Sequence, residues 1–194
     1  MRLALFGGTF DPVHDAHLAI ARAAAAALSL DRVLFVPAAR PPHKHGSTHA
    51  PYSDRLRMIE LAIAREPGFE ASRLEEFTSR SYSIDTIERV RAGLSAEDRL
   101  YFLIGADAFA EIRTWRRWQD VVRSVEFIVV SRPGAQYEIP HGAVAHRIDT
   151  LSMPVSSSAI RKAIAAGERP AELDRAVCDY IHRHNLYRFS SAHR

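Results

Sequence analysis

Cysteine, lysine and long apolar runs are what this chain has least of. It holds one cysteine in 194 residues, Cys178, so no disulfide can form within it and its stability has to come from a packed core. That usage fits a reducing compartment, and a cytoplasmic protein is expected. The longest apolar stretch, Ala23 to Leu28, falls far short of the ~20 residues that span a bilayer, so no membrane partner is expected. Strand-like residues begin at position 2 with no charged leader and apolar signal core before them. All but two of the 26 basic residues are arginine, the exceptions being Lys44 and Lys162. A GC-rich genome explains that bias but not the place of Lys44, inside a loop of prolines and histidines. The formal charge of +3 suits an anionic small ligand. It is too slight, without a basic and aromatic stripe, to argue for nucleic acid.

What is present is the composition of an ordinary globular protein, 47% hydrophobic and 25% charged. No internal repeat, low-complexity tract or linker divides it, so a single domain over 1–194 is expected, long enough for a sizeable core. Apolar runs alternate with helical patterns, as parallel βαβ units require. Strands are expected at 2–6, 33–36, 69–77, 101–104, 127–130 and 144–148. Helices are expected at 15–28, 52–65, 83–91 with Ser83 as the N-cap, from Ser156 to about 167, and 172–184. The pattern predicts an α/β fold: a Rossmann-like, doubly wound parallel sheet of five or six strands with helices on both faces. Ligands of such sheets bind beyond the carboxyl ends of the strands.

The distinctive polar segments fall at those ends. After the first apolar run comes Gly7-Gly8-Thr9-Phe10-Asp11-Pro12-Val13-His14-Asp15-Ala16-His17. Paired glycines let backbone approach a ligand closely. The loop leads into a helix N-terminus, whose free N–H groups and positive dipole end favour phosphate. Residues three apart share a helix face, so His14 and His17 point together at that loop. Two imidazoles over a polyphosphate site is the reading; a zinc site lacks a third ligand nearby. Pro41-Pro42-His43-Lys44 follows the second strand, and its stiffened loop presents one mobile ammonium. Near the end, Val155-Ser156-Ser157-Ser158-Ala159-Ile160-Arg161 opens a helix with three hydroxyls, and Arg161 lies one turn in.

The first motif resembles the GxFDPxHxxH signature of the nucleotidylyltransferase superfamily, with Ala16 where glycine is usual. The second resembles its ISSTxxR motif. Pro41-Pro42-His43-Lys44, Ser81 to Thr86, Leu103 to Asp107, Trp115, Ser131 to Gly134 and the closing Tyr180-Ile181 and Leu186-Tyr187 resemble bacterial nicotinate mononucleotide adenylyltransferases over nearly the whole length. Ser83 stands where that family usually has threonine.

The resemblance implies adenylyl transfer from ATP to nicotinate mononucleotide, giving deamido-NAD and pyrophosphate. It also implies roles. Gly7, Gly8, Thr9 and Phe10 would line the ATP phosphates through backbone. His14 and His17 would sit on the α- and β-phosphates, with Lys44, Ser156, Ser157, Ser158 and Arg161 at the β/γ end. Gly105 and Asp107 would meet the ribose. Ser83, Ile84 and Thr86 would receive the nicotinate carboxylate at a helix N-terminus, Trp115 the pyridine ring, and Lys44 and Arg132 the nucleotide phosphate. His14, His17, Lys44 and Arg161 would be catalytic. Mg²⁺ is expected with ATP, held mainly by phosphate oxygens. The alternatives are a sibling enzyme for nicotinamide mononucleotide or phosphopantetheine, and a silent nucleotide-binding sensor. The sequence leaves open whether the chain forms a homo-oligomer.

Overall fold

The computed structural model describes residues 1–40, 48–132, 134, 136–149 and 155–188. Six parallel strands form one sheet: β1 (Arg2–Gly8), β2 (Arg32–Pro37), β3 (Phe69–Ala71), β4 (Arg99–Gly105), β5 (Glu126–Ser131) and β6 (Val144–Asp149). Their order is β3-β2-β1-β4-β5-β6. The chain winds outward from β1 to one edge, returns, and continues from β4 to the other. This leaves a crevice between the carboxyl ends of β1 and β4, where the winding reverses.

Strand alternation builds two cores. On one face Ala4, Phe6, Val33, Phe35, Tyr101, Leu103 and Ile128 pack under α1 (Asp15–Leu28), α2 (Tyr52–Ala62), α6 (Ser157–Ala165) and α7 (Arg175–Arg183). On the other, Leu3, Leu5, Leu100, Phe102, Ile104, Phe127 and Val129 pack under α3 (Ser83–Arg91), α4 (Ala106–Ala110) and α5 (Trp118–Ser124). Helices therefore cover both faces, as expected.

Several boundaries differ from the sequence reading, each for a physical reason. The strand expected over 69–77 is only three residues long, because Arg73 to Phe77 turn back on themselves through Glu76 N–H to Arg73 C=O and Thr78 N–H to Glu75 C=O. Gly7 and Gly8 are the last residues of β1, in register with Val36 and Pro37 of β2, and not loop residues. Ser83 is the first residue of α3 and Tyr82 its N-cap, with no side-chain cap. The last helix begins at Arg175, where Asp174 caps it through the Ala176 N–H. The short α4 and α5 carry too few turns for an apolar stripe to show, and the sequence reading has no helix there.

Candidate active site

At the end of β1 the chain turns sharply. Phe10 has a left-handed backbone, φ 48°, and its ring folds back into the core, 1% exposed. A Cβ on Gly8 would come within 3.0 Å of that ring, so glycine is needed at 8 for Phe10 to pack. The Phe10 ring in turn meets Phe6 edge-on at 5.4 Å and His17 at 5.1 Å. Phe10 thus supports the second histidine from beneath.

His14 is the N-cap of α1 and His17 its third residue. The His14 N–H donates to His17 Nδ1 at 3.2 Å, and the ring centroids lie 3.8 Å apart. An Nδ1 that accepts carries no hydrogen, so this bond assigns the proton of neutral His17 to Nε2. Burial lowers the His17 pKa to about 3, with His14 adding to the effect. Burial likewise lowers His14 to about 4, against a smaller opposing pull from Glu172. Both rings are therefore neutral donors and acceptors near pH 7. His14 Nδ1 is buried without a hydrogen-bond partner.

A clamp of side chains from distant segments holds the loop after β1. Buried Asp11 accepts from the His49 N–H at 2.7 Å, the Ala50 N–H at 3.1 Å and the Tyr187 hydroxyl at 2.8 Å. That carboxylate, with burial, pushes the Tyr187 phenol well above its ordinary value, burial being the larger cause. Arg55, fully buried on α2, donates to Thr9 C=O at 2.7 Å and to Ala50 C=O at 3.2 Å. The serine-arginine motif closes the clamp. Ser156 caps α6 by accepting from the Ala159 N–H. Ser157 donates to Pro12 C=O at 3.0 Å, and Arg161 donates to Asp11 C=O at 2.7 Å and to Ser158 Oγ at 3.2 Å. The two motifs, about 150 residues apart, meet directly. Part of their hydrogen-bonding capacity goes to each other.

Beside this clamp lies the crevice between β1 and β4. A cavity of about 210 Å³ is walled by Gly7, Gly8, Gly105, Ser83, Thr86 and Trp115 among others. A Cβ on Gly105 would meet nothing within 4 Å, so that position opens onto free space. A second cavity, about 260 Å³, shares Ser81, Ser83, Ala108 and Trp115 with the first and adds Tyr82, Glu111 and Arg116. Half-buried Trp115 stands between them, braced edge-on by Phe102 at 5.7 Å. The sequence-derived residues are thus brought to two neighbouring places. Ile84 has its side chain in the core, which leaves only its backbone for a ligand. Asp107 lies exposed in the first turn of α4. Arg132 lies exposed just past β5 and walls neither cavity. Lys44 lies outside the described residues.

Four polar residues escape the sequence reading of the site: buried Asp11, Arg55 and Glu75, and half-buried Tyr187. Glu75 accepts the Thr86 hydroxyl at 2.6 Å, and its other oxygen is buried without a partner. Arg55 had a signal, since it shares the apolar face of α2 with Met58 and Ile59. Glu75, in an irregular turn, had none. Among the described residues no group of three or more His, Cys, Asp or Glu is arranged to hold a metal ion. Both oxygens of Asp11 are already occupied by donors. No helix among the described residues is long and apolar enough to cross a membrane.

Residues 5–163 match the cytidylyltransferase-like family. A protein of Solibacter usitatus named "Probable nicotinate-nucleotide adenylyltransferase" is 64% identical over 187 residues, 96% of this chain and 100% of that protein. A protein of the same name from Thermus thermophilus is 41% identical over 97% of this chain and 100% of its own. The nicotinic acid mononucleotide adenylyltransferase of Plasmodium falciparum, solved in complex with NaAD, superposes with a TM-score of 0.79 at 20% identity, covering 97% of this chain and 98% of that one. That likeness confirms the fold. With the histidine corner, the serine-arginine clamp and these relatives together, the chain belongs to the cytidylyltransferase-like family and, within it, to the nicotinate-nucleotide adenylyltransferases.

Proposed function

We propose that this enzyme transfers the adenylyl group of ATP to nicotinate mononucleotide, giving deamido-NAD and pyrophosphate in NAD biosynthesis. The observation that carries the reading is the close His14–His17 pair at the start of α1, set against a glycine strand end, with the loop before it tied to the serine-arginine motif.

The mononucleotide phosphate attacks the α-phosphorus of ATP in line. Its oxygen forms the new P–O bond, the bond to the β-phosphate oxygen breaks, and pyrophosphate leaves with that electron pair. A phosphate monoester with a second pKa of about 6 is already a nucleophile near neutral pH, so no protein base is required. Catalysis then rests on positioning and on charge stabilisation at phosphorus. In this reading His17 Nε2–H and His14 donate to the α- and β-phosphate oxygens. Arg161, the first-turn N–H groups of α6 and the lysine at 44 neutralise the leaving pyrophosphate. Gly7, Gly8, Gly105 and Asp107 admit the nucleotide, Trp115 faces the pyridine ring, and the N-terminal turn of α3 receives its carboxylate. Mg²⁺ would arrive on ATP, its charge offsetting that of the phosphates. The occupied Asp11 and the lack of a carboxylate cluster among the described residues suit an ion carried by phosphate oxygens.

A second reading, the amide-bearing mononucleotide as acceptor, is favoured by one observation: the unpartnered Glu75 oxygen beside the first cavity would accept an amide N–H. Pyrophosphate release with ATP and Mg²⁺, comparing the two mononucleotides, decides between them. Release many-fold faster with the acid is expected. Preference for the amide would transfer the enzyme to the second reading, and no release with either would end both.

A further inference from the structure

The two cavities differ in the charged side chains that wall them. The first is walled by Glu75, an acidic side chain with one buried unpartnered oxygen. The second is walled by Arg116 and by the exposed Glu111. They share Ser81, Ser83 and Trp115, so a planar ring laid against Trp115 has only the acidic Glu75 as a charged neighbour on one side, and a guanidinium, that of Arg116 beside Glu111, on the other.

Arg116 is held ready without being used up. Its guanidinium lies over the Tyr82 ring, 4.6 Å from the centroid, an arrangement that fixes the group's direction while leaving its N–H edges free. The nearest carboxylate, Asp85, is 3.9 Å away at the outer limit of an ion pair. Both partners are well exposed, and such pairs are weak and screened. Tyr82 also precedes Ser83, whose N–H and that of Ile84 open α3 without intrahelical acceptors. Arg116 thus adds a full positive charge beside a helix start that offers only partial ones.

Resting on the adenylyl-transfer reading above, we propose that Arg116 is the residue that selects the acid over the amide. A pyridine carboxylate and a carboxamide have nearly the same shape and differ by one negative charge. Turned toward the second cavity, the carboxylate meets the guanidinium and the α3 N–H groups and turns away from Glu75. The amide gains nothing from Arg116 that a neutral side chain would not supply. Arg116 is a specificity residue only, since the pyridine end is remote from the phosphorus that reacts.

Steady-state kinetics of Arg116→Gln and Arg116→Lys with both mononucleotides test this. Gln should lower the acid-to-amide ratio of kcat/KM about tenfold, the size of a lost charge-assisted hydrogen bond. The loss should lie in KM for the acid, with kcat and the amide values nearly unchanged, and Lys should restore part of it. Added salt should raise KM for the acid more in the wild type than in the Gln variant, which keeps only the screening of the phosphate contacts. An unchanged ratio in Gln, or equal losses with both substrates, overturns the assignment and leaves the reaction intact. A wild type that makes pyrophosphate without preferring the acid overturns both the acceptor reading and this one.

Discussion

The two halves of the site are built on opposite plans. At the histidine corner the Asp11 carboxylate and three carbonyls of the loop from Thr9 to Pro12 are committed to other parts of the protein: Asp11 to His49, Ala50, Tyr187 and Arg161, Thr9 to Arg55, Pro12 to Ser157. Around Trp115 the walls are open, and Arg116 has only a long, exposed ion pair with Asp85, which leaves its N–H groups available to a ligand. The difference follows from what each half has to do. Phosphorus chemistry requires donors fixed where charge develops, and preorganisation made of internal hydrogen bonds supplies that without reorganisation during the step. Choosing between two acceptors requires free groups that a substrate completes or fails to complete.

Substitutions should therefore separate the halves. The largest effect is expected at the corner. His17→Ala removes a donor whose direction is set by the His14 N–H and by the Phe10 ring, and kcat should fall about a hundredfold or more. The melting temperature should move little, because α1 keeps its buried face of Leu18, Ala21 and Ala24. KM for the mononucleotide should stay near wild type if the halves are independent. A folded variant with unchanged kcat would remove His17 from the mechanism.

The next effect tests the clamp itself. Tyr187→Phe takes one donor from Asp11 and leaves its two backbone donors in place. The cost should be about 1.5–3 kcal/mol of unfolding free energy, the range for a hydrogen bond to a charged group, read from urea denaturation. An equivalent change at the open half, Arg116→Gln, should cost almost nothing, since its ion pair is exposed and long. Equal losses at the two positions would erase the distinction drawn between them.

The open half and the clamp were not equally legible in the sequence. Strand and helix alternation gave the sheet, and α1 and α3 begin and end where the pattern places them, because long periodic segments report their own burial. Both halves of the phosphate corner were also readable, as motifs. What was hidden was how they join. Ser157 and Arg161 look like free anion ligands in the chain, yet each makes a bond to the loop that follows the first strand. Tyr187 and Asp11 are 176 residues apart, and no local pattern signals such a pair. Arg55 was visible in principle as a charge within an apolar face. Glu75 was not, since the turn that buries it has no period and its partner Thr86 lies in the next element.

The smallest effect concerns pH and belongs to the corner alone. In the folded chain burial holds His14 at about 4 and His17 at about 3, whereas in the unfolded chain both return to about 6.5. Their folded values are depressed, so on acidification the unfolded state takes up protons first and folding loses free energy. The loss starts as pH falls through about 6.5 and continues until the folded groups themselves titrate near 4 and 3. Between pH 7 and pH 6 its size depends only on the unfolded value and comes to about 0.7 kcal/mol for each histidine. Urea denaturation at the two pH values should show it, and His17→Ala should remove about half. Polyphosphate should oppose it, because an anion against the rings favours their protonated forms and adds stability as pH falls. If the variant keeps the full pH dependence, the two imidazoles are not the buried neutral pair that the corner requires.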